Sequence, residues 1–363
     1  MGEFCQEVYF SCFAPAAMSF DDAVAKLKAA YMRQLEQLHL EENAIILQRF
    51  FCSDVHTQAP LLQVSWPLGV AGQRLYIGQI PLDSAYVSLQ VYAIRNASIQ
   101  QMDNGDLLVR HGGYVSFWTM RYPDLPGNAE IQSDAVIDSL NCSLHAQDLD
   151  LKQNVIRTWY YVRDIDNNYS GMIRSRVRHY EAAGLRPDTH FIASTGIEAS
   201  APNPHDLVSL HSHAISGLEQ KQITYLKALD FLSPTHAYGV NFERATRIEY
   251  GDRLHCHISG TASIDAKGEV VHTGDVVRQC IRAIRNIEAL LNEGGMEMRH
   301  LRAATVYLRD GHDYHRLRPI LSEALPADCA CVVTHAPVCR PDWLVEIEGE
   351  AIAPTSTPYP TFV

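Results

Sequence analysis

Basic residues are in short supply: 30 Lys and Arg stand against 42 Asp and Glu, a formal charge of −12. A chain this acidic lacks the cationic surface that nucleic-acid phosphates require, so nucleic acid is excluded as the main partner, while a small anion in a locally basic pocket is not. Long apolar runs are missing too. No stretch approaches the roughly 20 residues of a membrane-spanning helix, and no membrane association is expected. The nine cysteines include no CxxC pair, which argues for reduced thiols over a disulfide framework. Glu3 and Glu7 stand where a secretory signal would carry basic residues, giving the expectation of a cytoplasmic protein. Walker motifs, dinucleotide fingerprints and nucleophile elbows are absent. His255, Cys256 and His257 alternate along a strand, so the cysteine points away from the histidines. His211 and His213 share a face with no further ligand in view. No metal and no cofactor are expected.

What the 363 residues do contain is one unit written three times. A helix opens at Ser19, with Asp22 as its capping partner, and keeps apolar residues at helical spacing through Val24, Leu27, Tyr31, Leu35 and Leu38. The strand Ile45 to Asp54 follows. Helix then strand return from Ser133 to Asp164 and from Thr273 to Asp310. The closing strands align as Val87 to Ile94, Val208 to Ile215 and Val345 to Ile352, each ending in Ala-Ile. Opening hairpins are read at Tyr114 to Met120 and Leu254 to Ile264, with only Val8 to Ala14 left in the first copy. The expected domains are 1–97, 98–224 and 225–363.

The third closing strand carries Glu346, Glu348 and Glu350 on one face. Three carboxylates do not point into an apolar core. They belong either to a charged edge strand that discourages aggregation or to a polar cleft. Ser88 and Ser209 hold the place of Glu346 in the other copies, and a carboxylate present once in three favours a single chemically active seam. Beside Glu348, Glu346 is suited to a raised pKa and so to a general acid.

The pattern of hairpin, helix, strand, helix and two strands resembles the RidA family, also called YjgF or UK114. It does so most clearly through Ser259-Gly-Thr-Ala-Ser263, Gly274-Asp275, Gln279 and the Val345 strand. That resemblance implies an α+β fold of three RidA-like, chorismate-mutase-like α/β repeats, with one chain building an intramolecular pseudo-trimer and further association open. Within the superfamily, residues 157–349 look like a chorismatase, an enzyme that removes the enolpyruvyl arm of chorismate. The carrying segments are Arg157 to Val162, Thr195-Gly-Ile197, Tyr238-Gly239, Phe242 to Thr246, Ile258 to Ile264, Val271 to Asp275 and Arg340 to Gly349. The first copy resembles chorismatases poorly, and the Tyr238 loop is shortened.

The implied substrate is a small anionic carboxylate, and the implied catalytic residues are Glu346, as proton donor, and Cys339. Arginine meets carboxylates bidentately, so Arg244, Arg157 and Arg340 are each read either as a grip or as a structural ion pair. Tyr238, Gly260, Thr261 and Gln279 complete the implied binding set. Gly260 marks either a bulge or a close approach to ligand. The pairing of Gly260 with Cys339 looks like the branch that makes 3-hydroxybenzoate. Two other readings are a RidA-type imine or enamine deaminase and a non-catalytic small-molecule-binding protein. Against the deaminase, Asp328 stands where that chemistry uses an arginine.

Overall fold

The helix Val276–Glu293 shows how sequence pattern becomes architecture. The Asp275 side chain caps it by accepting from Arg278 N at 3.1 Å, satisfying one of the amide donors that a helix start leaves over. Cys280, Ala283, Ile287, Leu290 and Leu291 recur at helical spacing and are buried against strands of a sheet. Each large apolar side chain removed from water contributes roughly 1.5–3 kcal/mol. Asn286 interrupts the stripe for a reason. Its Nδ2 donates to the carbonyls of Ala262 (3.1 Å) and Ile264 (3.0 Å), fixing a strand end that borders the candidate site.

The computed structural model describes residues 7–66 and 72–363, apart from the side chain of Tyr238; Glu3 lies outside them. In chain order the elements are β1 Glu7–Cys12, α1 Phe20–Leu38, β2 Ile45–Cys52, α2 Val55–Ser65, β3 Gln73–Ile77, β4 Ile80–Pro81 and β5 Val87–Ile94. There follow β6 Ser98–Gln101, β7 Leu107–His111, β8 Tyr114–Arg121, α3 Ala129–His145, β9 Val155–Val162, α4 Ile165–Ala182, β10 Ala193–Glu198 and β11 Val208–Ser216. The chain ends with β12 Ile223–Leu226, β13 Ala245–Glu249, β14 Arg253–Ala262, α5 (the helix above), β15 Leu301–Leu308, α6 Tyr314–Ala324, β16 Ala330–His335 and β17 Val345–Pro354.

These strands make three sheets, ordered β1-β5-β2-β3, β10-β9-β11-β8-β7-β6 and β12-β13-β14-β17-β15-β16-β4. Helix pairs cover them: α1 and α2 pack on the first, α3 and α4 on the second, α5 and α6 with the third. The sheets meet through short backbone links. Ser194 N donates to Ser259 Oγ at 2.8 Å and Gly260 N to Thr195 Oγ1 at 2.9 Å, between the second and third sheets. Glu198 N donates to Pro337 O, Gly78 bridges Ser200, and β4 of the first segment pairs with β16 of the third sheet. The closing strand β17 lies between β14 and β15. It is therefore an interior strand, which removes the edge-strand reading of its glutamates. Among the described residues no helix is long and apolar enough to cross a membrane, and all eight described cysteines are free.

Candidate active site

The β14 and β17 register shifts by one residue between Ile258 and Thr261, from Ile258 opposite Gly349 to Thr261 opposite Ile347. That bulge holds Gly260, and bulges turn a strand locally. A Cβ on Gly260 would lie 2.2 Å from Glu346 Oε1, so the absent side chain is what lets the glutamate lie against the neighbouring strand. Gly260 sits in a bulge and lines a cavity.

That cavity opens between the second and third sheets. Tyr169, Arg176, Ser194 and Thr195 line one side; Arg244, Gly260, Cys339, Arg340, Trp343 and Glu346 line the other. Glu346 is 5% exposed. Burial, reinforced by the neighbouring Glu348 carboxylate, pushes its pKa from 4.5 up to about 8, against the opposing pull of Arg157 and Arg244. A carboxyl in this setting holds its proton at neutral pH.

Glu348, two residues on, has the opposite surroundings. Arg157 Nη2 donates to it at 2.8 Å, Thr195 Oγ1 at 2.5 Å and Trp159 Nε1 at 3.0 Å. Arg49 from the first sheet adds a cation 3.9 Å away, stacked over the Trp159 ring. Pairing and hydrogen bonds of this kind offset the cost of burying a carboxyl group. One strand thus presents an anchored carboxylate and, next to it, a carboxyl with no hydrogen-bond partner among the described residues.

Three expected contacts are corrected by the geometry. Arg157 is not a cavity wall. It is 1% exposed and bound to Glu348 and Thr195, behind the wall. Gln279 spends its amide on backbone, donating to the carbonyls of His272 and Asp342 and accepting from Leu344 N, so it shapes the loop before β17. The Thr261 hydroxyl donates to Ser259 O within its own strand and is fully buried. Cys339 does line the cavity, but burial and the nearby Glu346 push its thiol up to about 12. It is a neutral wall group, with no thiolate available as nucleophile. Tyr238 closes the 3-10 turn Thr235–Tyr238 next to the cavity-lining Val240; its side chain lies outside the described residues.

Arg244 and Arg340 line the cavity, the first buried with Nη2 donating to Ser233 O at 2.9 Å, the second stacked over Trp343 at 5.0 Å. Sequence reasoning missed Arg176. Its Nε donates to Asn241 Oδ1 at 2.8 Å, while Nη2 is buried with no hydrogen-bond partner among the described residues. A signal for it existed: Ile165, Tyr169, Met172, Arg176 and Tyr180 form one helical stripe, and an arginine inside an apolar stripe needs an anion or an acceptor.

Comparison with known proteins fits this geometry. The family model described as Endoribonuclease L-PSP matches residues 245–353. A 3-hydroxybenzoate synthase of Streptomyces hygroscopicus is 30% identical over 219 residues, 54% of this chain and 63% of that protein. A chorismatase of Streptomyces rapamycinicus is 28% identical over 217 residues, with the same coverage of each chain. The match thus spans less than two thirds of these relatives' length. A solved chorismatase structure superposes with a TM-score of 0.70 at 20% identity, covering 95% of this chain and 98% of that one, a likeness of fold. A RutC family protein of Pyrococcus abyssi is 35% identical over 99 residues, 26% of this chain and 75% of its own length. The chain belongs to the RutC family.

Proposed function

We propose that this protein removes the enolpyruvyl group of chorismate as pyruvate and leaves 3-hydroxybenzoate. The observation that carries the reading is Glu346, a buried carboxyl with a pKa near 8, on the wall of a cavity that also holds Arg176, Arg244 and Arg340. Chorismate is a dianion with an enol ether. The arginines suit its two carboxylates, and the neutral Glu346 suits proton delivery to the methylene carbon. Protonation converts the enol ether into an oxocarbenium. The ring hydroxyl of the substrate then attacks the ring carbon that bears the ether, the carbon–oxygen bond breaks, and pyruvate leaves. The oxygen then bridges both ring carbons, and its bond to the carbon that first carried it breaks. The carbon it has moved to gives up its hydrogen as a proton to the Glu346 carboxylate, and the ring becomes aromatic with the acid restored. Chorismate is divided between the two products without addition of water.

In this reading the chain is a pseudo-trimer of three RidA-like repeats, 1–97, 98–224 and 225–363, and the chemistry belongs to the seam between the second and third. Deaminase chemistry is disfavoured because Asp328 holds the position of its arginine and makes a surface contact with Arg302 at 3.7 Å. The test is incubation with chorismate, following pyruvate by a coupled dehydrogenase and the aromatic product by chromatography. Turnover supports the proposal. Folded protein that leaves chorismate intact refutes it.

A further inference from the structure

A second cavity lies where all three sheets meet and shares no lining residue with the first. β17 serves both, with Glu346 on one, Glu350 on the other and Glu348 in the partition. Rings of Tyr9, Tyr92, Trp118, Trp159 and Phe362 form much of its wall. His213 lies flat on Trp118, with centroids 3.8 Å apart and planes 7° from parallel. His213 thus covers one face of Trp118, and the remaining rings give the cavity an aromatic wall.

Charge decides what kind of guest fits. Arg49 and Arg157 face Glu348 and Glu350 around the cavity, with His257 against Glu350, and Arg253 and His255 face Glu7 at its outer end. A charged guest would leave one buried charge uncompensated, so the fitting guest is neutral. Hydrogen bonding decides the rest. Glu350 Oε2 lies 2.6 Å from His257 Nδ1 as an ion-pair contact. Among the described residues both ring nitrogens of His257, His213 Nδ1 and Trp118 Nε1 are buried without a hydrogen-bond partner. His257 is 4% and His213 6% exposed. Leaving such groups unsatisfied costs about 1–3 kcal/mol each, and a hydroxyl, donor and acceptor at once, meets a lone pair and an N–H together.

We propose that the central cavity is a binding site for a small neutral hydroxylated aromatic molecule, its ring against Trp118 and its hydroxyl donating to His257. The site is separate from the Glu346 cavity and independent of the reaction assigned there. The probe is phenol, with anisole (the same ring without a donor) and benzoate (a charged ring) as comparisons. Calorimetry should give phenol at least tenfold tighter binding than either, and a crystal structure should show its oxygen within hydrogen-bond distance of His257 Nε2. His257→Phe, which keeps a ring and removes the acceptor, should weaken phenol at least tenfold and leave chorismate turnover unchanged. Phenol found only in the Glu346 cavity, or anisole bound as tightly, overturns the proposal. If His257→Phe does not fold, the wild-type density and the phenol-to-anisole ratio decide it by themselves.

Discussion

Glu346→Gln should make the protein more stable at alkaline pH while abolishing turnover. The glutamine copies the protonated carboxyl in shape and removes only the ability to ionise. In the folded chain the Glu346 carboxyl is displaced from 4.5 to about 8. The folded state therefore holds a proton that the unfolded state releases. Stability from this group is fully present below about 4.5 and is lost as pH rises to about 8, beyond which the loss is constant. At about 1.4 kcal/mol per pH unit the full loss is about 5 kcal/mol, an upper bound once coupling to Glu348 is allowed for. At pH 7 an acid of pKa about 8 is about 90% protonated, against about 0.3% for one at 4.5, so the environment raises the reactive population about 300-fold. Turnover should fall above pH 8 with a single limb, and the mutant should lose about 10²- to 10⁴-fold in kcat, the usual contribution of a general acid. Urea denaturation of both proteins at pH 6 and pH 9, beside the pyruvate assay, measures both effects. A stability difference that does not widen between these pH values, or a mutant with near-normal kcat, would refute the reasoning.

Arg157→Met removes the closest cation from Glu348 and leaves a buried carboxylate short of compensation, so unfolding free energy should drop by about 3–5 kcal/mol, measured by denaturant titration. Gly260→Ala puts a methyl 2.2 Å from Glu346 Oε1; the carboxyl must move by about 1 Å, and kcat should fall about a hundredfold with Tm little changed. Cys339→Ala should leave the alkaline limb of the pH–rate profile in place, because the thiol is held near 12 and that limb belongs to Glu346. A limb that moves with this substitution would return Cys339 to the acid–base chemistry.

The sequence by itself determined which stretches become which elements. Helical spacing at Val24, Leu27, Tyr31 and Leu35 and the aligned strands ending in Ala-Ile are local patterns, and they fold where they were read. It also exposed the singularity of Glu346, since Ser88 and Ser209 stand at the matching places. What only tertiary structure decided was the division of labour among the charges. Glu346 and Glu348 are equivalent in a period-2 pattern, yet Arg157, Thr195, Trp159 and Arg49 converge on one of them alone. Arg157, read as either a grip or an ion pair, turned to Glu348, while Arg176, which the sequence reading did not single out, lines the cavity. A pKa and a free guanidinium nitrogen are set by which groups arrive from distant strands and how little water remains between them, and no local spacing encodes that.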